Sequence, residues 1–422
     1  MILQNMRLQG TPTIPRSAFS RVCRSLSRVS LCAAALSFAV FTPSGCSGGG
    51  GGGTTGCTTC KTQQQAATPT ITTANAQGGA EIVTLADTTP GATIYYTLDG
   101  STPTNTSPIY EAPFLVASNL TVNAMAADSP AYTNSAVATQ AFSPNIASGT
   151  LVWRDEFQNS GGSNALPSST NWTYDTGFQC CGNSEQETYC AAGSSTSPCD
   201  PSNPNAYIAP GGGLNVVARN PSGTTYTSAR LKSQGQFSFM YGRIEAKMKL
   251  PEAQGMWPAF WLLGNNIATI NWPACGEADV MEHIDGNNTP FGGPGNGSLP
   301  GYDWIAGSVH GGTSGNEANA GNDYPPSLSA AGTDNFDATQ WHTYGMIWSK
   351  GRIQYYVDDP SNIYATDSTT TPNFTGGVWP FDQGPMFVIL NLAVGGDWPG
   401  NVDSTTTFPQ TMQVQYVRIY TN

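Results

Sequence analysis

The chain has 422 residues, a length that allows two folded domains and a tail. It contains 48 glycines and 30 prolines, and only 10% of its residues are charged, so an all-β fold with many turns is expected. The formal net charge of −12 argues against a nucleic acid partner, because nucleic acid binding needs a basic surface.

The N-terminal residues predict an export signal. Five arginines lie within the first 28 residues, whereas the first acidic residue is Glu81. The apolar run at residues 31–41 is too short to span a bilayer. Small residues then precede Cys46, an order that resembles a bacterial lipoprotein processing site, where the cysteine becomes the lipidated first residue. Residues 1–45 are therefore the expected signal peptide of an exported protein, which is either a cell-envelope lipoprotein or secreted.

Residues 46–66 are rich in glycine and threonine and poor in apolar residues, which predicts a flexible tether. A small Ig-like β-sandwich is expected over residues 67–145, because short β-rich runs alternate there with turn signals. The clearest runs are residues 81–85, 93–97 and 119–124. The string ATIYYTLDGSTPTNTSPIYEAPFLV resembles the C-terminal module of chitobiases and β-hexosaminidases. Its role is left open between a spacer and a carbohydrate-binding module.

The cysteines beyond the tether predict partial disulfide bonding. They are Cys180, Cys181, Cys190, Cys199 and Cys275. Because their number is odd and the compartment is oxidising, up to two disulfides and one unpaired thiol are expected, with open connectivity.

Residues 150–422 predict one large antiparallel β-sandwich. Apolar and polar residues alternate along residues 241–250, as in a half-buried strand. Residues 342–358 predict a hairpin, and the apolar run 386–394 predicts a strand covered on both faces. Such strands over about 270 residues are typical of a large sandwich.

Three carboxylates within one of these strands are the main candidates for chemistry. Strand alternation places Glu277 and Asp279 on the same face. Glu282 is an odd number of residues from Glu277 and would point to the opposite face, unless a β-bulge at residues 280–281 absorbs one residue. We predict that bulge, and with it a carboxyl gap of roughly 5–8 Å, which covers both retaining and inverting geometries.

This pattern suits glycosidic bond cleavage. Like charges so close raise at least one pKa, and a glycosidase needs one ionised and one protonated carboxyl. The alternative interpretation is a solvated acidic strand face. The apolar residues between the carboxylates and the nearby tryptophans argue against that alternative.

The string GEADVME at residues 276–282 resembles the E-x-D-x-x-E signature of family 16 glycoside hydrolases, in their laminarinase-like branch. Further similar segments span the whole of residues 151–422 and include QGMWPAFWLLG and ILNLAVGGDWPG. The resemblance implies a β-jelly roll with a concave cleft and endo-hydrolysis of β-1,3-glucosidic bonds with retention. It implies that Glu277 is the nucleophile, Glu282 the general acid/base and Asp279 the assisting carboxylate, with no cofactor for catalysis.

The same resemblance identifies substrate-binding candidates. Aromatic rings pack against the C–H faces of sugars, and Trp257, Trp261 and Trp272 match tryptophans of the family's cleft. Trp257 and Trp261 are an even step apart and share a face if both lie on one strand. The candidates for hydroxyl contacts are His310, Asn183 and Arg230.

A catalytic metal is not expected, because the three histidines form no pair at metal-ligand spacing. The resemblance also implies a structural calcium on the convex side of the fold. Glu156 matches one ligand position, but Gln415 stands where the family usually has aspartate.

The expected protein is thus a monomeric endo-β-1,3-glucanase that acts on laminarin-type β-glucan, with the membrane as a partner only through a lipid anchor at Cys46. Mixed-linkage β-glucan or a galactan is the alternative substrate within the same enzyme class. A glucan-binding receptor without activity is a different class, and the presence of both Glu277 and Glu282 argues against it. A surface adhesin that displays residues 67–145 is the third alternative.

Overall fold

The computed structural model describes residues 63–127, 131–284, 304–313, 315–324 and 336–422. The predicted signal peptide, Cys46 and most of the tether lie outside the described residues. Apart from Gln64, the elements below belong to one compact unit, Gln65–Asn422. Within the described ranges, the chain forms no helix whose length and apolar character would let it cross a membrane.

The N-terminal strands form a small β-sandwich with its own core. They are β1 (Gln64–Gln65), β2 (Thr70–Asn75), β3 (Glu81–Ala86), β4 (Thr93–Thr97), β5 (Phe114–Val116), β6 (Leu120–Ala127), β7 (Tyr132–Thr133) and β8 (Ala138–Phe142). The order β2–β3–β5 forms one layer and β4–β6–β8 the other. Val83, Phe114 and Val122 are fully buried in this core. The three runs predicted from sequence correspond to β3, β4 and β6.

The strands of the large sandwich begin at Leu151. The first ten are β9 (Leu151–Asp155), β10 (Thr173–Asp175), β11 (Gly177–Phe178), β12 (Glu187–Tyr189), β13 (Ala206–Ile208), β14 (Leu214–Ala218), β15 (Tyr226–Ser228), β16 (Arg230–Lys232), β17 (Ser238–Phe239) and β18 (Gly242–Lys249). The remainder are β19 (Met256–Gly264), β20 (Glu277–Glu282), β21 (Ile305–Thr313), β22 (Asn316–Tyr324), β23 (His342–Ser349), β24 (Arg352–Val357), β25 (Ile363–Ser368), β26 (Met386–Val394) and β27 (Gln410–Tyr420). Helical structure among the described residues is limited to α1 (Ile267–Ile270) and the 3₁₀ turns Pro372–Phe374 and Pro380–Asp382.

Most of these strands form a β-jelly roll of two packed sheets, and β11, β12 and β15 form a separate small sheet. One sheet has the order β17–β26–β19–β20–β21–β22, with β16 also beside β26, and the other has the order β13–β14–β27–β18–β23–β24–β25. Along β18, Ile244, Ala246 and Met248 are fully buried between the sheets, as the alternation predicts. The predicted hairpin is β23 and β24, and every residue of β26 is buried. The all-β jelly roll expected from the sequence is therefore confirmed.

One polar position of β18 departs from the sequence pattern. Glu245 is buried rather than exposed, because Tyr356 and Tyr420 cover it and donate hydrogen bonds of 2.7 and 3.2 Å to its carboxylate. Arg243 also forms an ion pair with the Glu245 carboxylate. Covering side chains from neighbouring strands thus override the local alternation.

The small sandwich and the jelly roll share a sheet. Strand β5 pairs in parallel with β17, with Phe114 opposite Ser238 and Leu115 opposite Phe239. The side chain of Leu115 is buried in the core of the jelly roll, whereas that of its neighbour Phe114 is buried in the core of the small sandwich. No sequence pattern predicts this pairing.

The five cysteines beyond the tether behave as predicted. Cys180 and Cys181 form a disulfide between adjacent residues, and Cys190 bonds to Cys199. Cys275 is a buried thiol. The expectation of two disulfides and one unpaired thiol is confirmed for this part of the chain.

Candidate active site

Strand β20 contains the predicted bulge. Glu277, Asp279 and Glu282 pair with His310, Ser308 and Ala306 of β21, so three steps on β20 match two steps on β21 after Asp279. The pairing with β19 also shifts at this point. Since every second residue of β21 points to the same face, the three carboxylates of β20 share one face.

That face is the concave side of the jelly roll. Ala278 and Met281 are fully buried on the opposite side of β20, in the core between the sheets. Among the carboxylates, Glu277 keeps 20% of its side chain exposed, whereas Asp279 and Glu282 are buried. The two glutamates therefore lie at the base of a cleft that admits solvent next to Glu277.

An indole donor holds each glutamate. Trp272 Nε1 donates to Glu277 Oε2 over 3.1 Å, and Trp257 Nε1 donates to Glu282 Oε1 over 2.9 Å. Each bond uses one carboxyl oxygen and leaves the other for a reacting group. The structure thus places Trp257 and Trp272 against the carboxylates, as well as on the cleft face.

A polar chain connects Asp279 to the edge of the sheet. Ser308 Oγ donates to Asp279 Oδ2 over 2.5 Å, and His310 Nε2 lies 3.4 Å from the same oxygen and 4.0 Å from Glu277 Oε1. On its other side, His310 Nδ1 lies 2.7 Å from Glu317 Oε1 of β22. His310 is thus in the cleft, as predicted, but Ser308 and Glu317 were not identified from sequence. Ser308 could have been identified, because it is two residues from His310 and so lies on the same face of the strand. Glu317 could not, because it lies on the neighbouring strand and no local sequence pattern predicts that pairing.

The environment raises the pKa values of the two glutamates to different extents. Burial, reinforced by the charge of Asp279, raises the pKa of Glu277 to about 7, while His310 and Arg230 oppose the rise. Burial and then Asp279 raise the pKa of Glu282 well above its usual value. Glu282 is accordingly the group that retains a proton, and Glu277 is the one that ionises more readily.

The surroundings of His310 favour its protonated form. Burial opposes a charged imidazole, but the hydrogen bonds with Asp279 and Glu317 and the charge of Glu277 raise the pKa of His310 well above its usual value. Glu277, Asp279 and His310 have potential ligand atoms within 4.8 Å of one another. In its protonated form the imidazole has no lone pair for a metal, and the three groups then form a hydrogen-bonded charge cluster.

Trp261 and Arg230 lie on the floor of the cleft next to the carboxylates. Trp261 Nε1 donates to Asn391 Oδ1 over 2.7 Å, and Arg230 Cζ is 4.6 Å from the centre of the Trp261 ring. Arg230 and Lys232 both bind Asp175, at 3.0 and 2.5 Å. This acidic partner compensates basic charge in the floor and suits an uncharged ligand.

Asn183 lies at the rim of the cleft rather than on its floor. Its side chain is exposed, and its backbone carbonyl accepts a hydrogen bond of 2.7 Å from Asp397 N. The neighbouring Gly396 packs against Trp257, since a Cβ on this glycine would lie 3.5 Å from the indole ring.

Glu156 lies outside the cleft and does not fit a cation site. Its two carboxyl oxygens accept hydrogen bonds from Arg418 Nε and Nη2 at 2.8 and 3.0 Å. Because the guanidinium already neutralises this carboxylate, the structural calcium implied by the resemblance is not supported at this position.

Comparison with family models gives two matches. The model described as "Glycosyl hydrolases family 16" matches residues 205–418, which include the whole carboxylate strand. The model described as "Fn3 associated" matches residues 83–142, within the small sandwich.

Individual relatives agree with the family match. A "Beta-glucanase" of Rhodothermus marinus is 35% identical over 64% of this chain and 84% of its own length. A "Glucan endo-1,3-beta-glucosidase A1" of Niallia circulans is 31% identical over 66% of this chain, but only 38% of that longer protein is covered. Among solved structures, the laminarinase of Rhodothermus marinus is 32% identical, with a TM-score of 0.50 over 65% of this chain and 97% of its own.

Proposed function

Because this chain belongs to glycosyl hydrolase family 16, we propose that it is a retaining endo-β-1,3-glucanase that cleaves laminarin-type β-glucans. The observation that carries the proposal is the bulged strand β20, on which Glu277 and Glu282 share the cleft face. Each is held there by a tryptophan donor, and the two differ in their readiness to lose a proton.

The reaction proceeds by double displacement. Ionised Glu277 attacks the anomeric carbon, and Glu282 donates its proton to the glycosidic oxygen as the bond to the leaving sugar breaks. This step produces a covalent glycosyl ester on Glu277. Glu282, now a carboxylate, then removes a proton from water, which attacks the anomeric carbon and releases Glu277.

Asp279 and His310 maintain the charge distribution that this sequence requires. The protonated imidazole lies between the carboxylates of Asp279 and Glu317 and close to Glu277, so it favours the ionised form of the nucleophile. The Asp279 carboxylate in turn raises the pKa of Glu282 and helps it to retain the proton for the leaving group.

The tryptophans and the charge of the cleft suit a neutral polysaccharide. Trp257 and Trp272 are partly exposed beside the carboxylates, where sugar rings can pack, whereas Trp261 is buried beneath Arg230 and supports the floor. Arg230 and Lys232 share the carboxylate of Asp175, and Arg230 also lies in the field of Glu185 and Glu277, so the floor does not require an anionic ligand.

Hydrolysis of defined polysaccharides tests the proposal. The purified protein is expected to release reducing sugars from laminarin, with the β-anomer appearing first in the NMR spectrum. Mixed-linkage lichenan and agarose in parallel assays distinguish the alternative substrates. An active protein that prefers lichenan or agarose would contradict the assigned substrate, and initial release of the α-anomer would contradict retention.

Two matched variants test the assigned chemistry. Glu277→Ala and Glu282→Ala are each expected to lower kcat on laminarin by at least about 10³-fold, because each removes a reacting group. Glu252→Ala, which changes a surface glutamate before β19, is the control and is expected to retain activity. Unchanged activity of either active-site variant would contradict its role.

The leader supports export, with the chain anchored by a lipid at Cys46. Expression in a bacterial host is expected to place the protein in the membrane fraction, and Cys46→Ser is expected to release it into the soluble exported fraction. If both forms are soluble after export, the protein is secreted instead.

A further inference from the structure

Residues 177–183, here called the rim segment, begin next to the floor of the cleft. Asp175, two residues earlier, binds both Arg230 and Lys232, and Arg230 lies over the Trp261 ring. Three residues span at most about 10 Å, so Phe178 lies within that distance of Asp175. The rim segment therefore starts at the Trp261 end of the cleft.

The rim segment ends at the other tryptophan of β19. The Asn183 carbonyl accepts from Asp397 N, and a Cβ on Gly396 would lie 3.0 Å from this carbonyl and 3.5 Å from the Trp257 ring. Trp257 in turn donates to Glu282. The segment thus runs along the cleft edge from the surroundings of Trp261 to those of Trp257.

A third connection is made by the first residue of the rim segment. Gly177 pairs with Tyr189 of β12, and the Tyr189 hydroxyl accepts a hydrogen bond of 3.3 Å from Asn391 Nδ2. Asn391 also accepts the hydrogen bond from Trp261. The rim segment is thereby fixed against the residues that position the cleft floor.

The rim segment exposes an aromatic side chain next to the polar side chains of Gln179 and Asn183. Phe178 is 64% exposed, more than any other large apolar side chain in the described part of the chain. The adjacent Cys180–Cys181 disulfide is partly exposed. The exposed Phe178 ring thus offers one apolar surface to a ligand at the start of the rim segment.

The backbone of the rim segment is also unusual. Gln179 and Asn183 have φ values of 47° and 57°, in a region that non-glycine residues seldom occupy. Such conformations are concentrated at ligand-binding sites, and a disulfide between adjacent residues restricts the segment further. A rigid apolar surface binds a ligand with a small loss of conformational entropy.

We propose that Phe178 and the Cys180–Cys181 disulfide form an additional sugar subsite, which binds a glucosyl unit of a long β-glucan outside the catalytic floor. The Phe178 ring packs against the C–H face of the sugar, and the polarisable sulfur atoms extend this surface. The subsite rests on the proposed glucanase function and makes the enzyme favour long chains over short oligosaccharides.

Phe178→Ala tests the subsite through substrate length. Its KM for laminarin is expected to rise about five- to tenfold, as for the loss of one sugar–aromatic contact, with kcat unchanged. Its kinetics on the shortest laminari-oligosaccharide that the parent cleaves are expected to match those of the parent. The control Leu166→Ala removes a 53% exposed side chain beside strand β13 of the other sheet. It is expected to leave KM and kcat on both substrates unchanged.

The double variant Cys180→Ser with Cys181→Ser is expected to raise KM for laminarin selectively as well. The subsite would be overturned if Phe178→Ala kept the parental KM for laminarin. An equal rise in KM for long and short substrates would also overturn it. These results leave the glucanase assignment intact. A parent protein without activity on any β-glucan would instead overturn the assignment itself, and the subsite with it.

Discussion

At the scale of single residues, the distinction between Glu277 and Glu282 depends on their surroundings rather than on their side chains. Both are glutamates on one strand, and both are raised in pKa by burial and by Asp279. His310 favours the charged form of both, and Arg230 also favours ionised Glu277. The strand sequence thus predicted where the two proposed reacting groups lie, but the groups that distinguish them come from other strands.

Replacement of the cleft histidine is expected to move the pH profile. His310→Gln removes a positive charge that lowers the pKa of both glutamates, so both limbs of the kcat/KM profile should shift to higher pH, by about one unit. Asp279, Glu282, Glu317 and Arg230 also face this site and remain in the variant. The control is His342→Gln, since His342 lies on β23 and its ring bonds to Asp358. This variant should leave the kcat/KM profile unshifted. A shift towards lower pH would contradict the assigned electrostatics.

The raised pKa of Glu277 also predicts a stability effect. Folding raises this pKa from 4.5 to about 7, so the protonated form stabilises the fold below pH 4.5 and this contribution is lost as the pH rises through 7. The Glu277→Gln side chain is neutral at every pH, so the variant should be more stable than the parent at pH 8, by about 3 kcal/mol. Urea unfolding should show the two proteins converging near pH 4. A difference that stays constant with pH would rule out this explanation.

At the scale of elements, the strands were predictable to the extent that their pattern is local. The alternation along β18 and the apolar run of β26 correctly predicted these two strands. The odd sequence separation of Glu277 and Glu282 correctly predicted the bulge. Ser308, Glu317 and Asn391 reach the site through registers between distant strands. Sequence periodicity does not encode such registers, so these residues were found only in the structure.

The Cys190–Cys199 disulfide is expected to stabilise the turn that follows β12. It closes a loop with a sequence separation of 9, and a loop of this size corresponds to about 2.5 kcal/mol of lost unfolded-state entropy. The double variant Cys190→Ser with Cys199→Ser should therefore have a lower Tm and a lower urea midpoint. A reducing agent should then lower the Tm of the variant less than the Tm of the parent. Equal stability of parent and variant would show that the bond contributes nothing.

At the scale of the whole molecule, the pattern of β-rich runs predicted two sandwiches but not their shared sheet. Strand β5 lies next to β17, and Ser238 N donates to Pro113 O over 3.0 Å across this junction. The two partners are more than a hundred residues apart and have no complementary sequence signature. The accessory sandwich is therefore a structural neighbour of the catalytic sheet as well as an N-terminal module.

Two leucines of the small sandwich test this coupling. Leu115 is buried in the core of the jelly roll, and Leu85 is buried in the sandwich's own core. Leu115→Ala is expected to destabilise the jelly roll by about 2–5 kcal/mol and to lower the temperature at which glucanase activity is lost. Leu85→Ala, the same change in the other core, should affect this temperature less. Equal effects, or no effect of Leu115→Ala, would contradict the coupling.

The central claim, that Glu277 attacks the sugar while Glu282 transfers the proton, is tested most directly by azide rescue of the two alanine variants on an aryl β-laminarioligosaccharide. Without Glu277, azide should attack the free substrate and give an α-glycosyl azide. Without Glu282, azide should attack the glycosyl ester on Glu277 and give a β-glycosyl azide. NMR spectra of the two products decide the assignment. The opposite pair of anomers, or the same anomer from both variants, would contradict it.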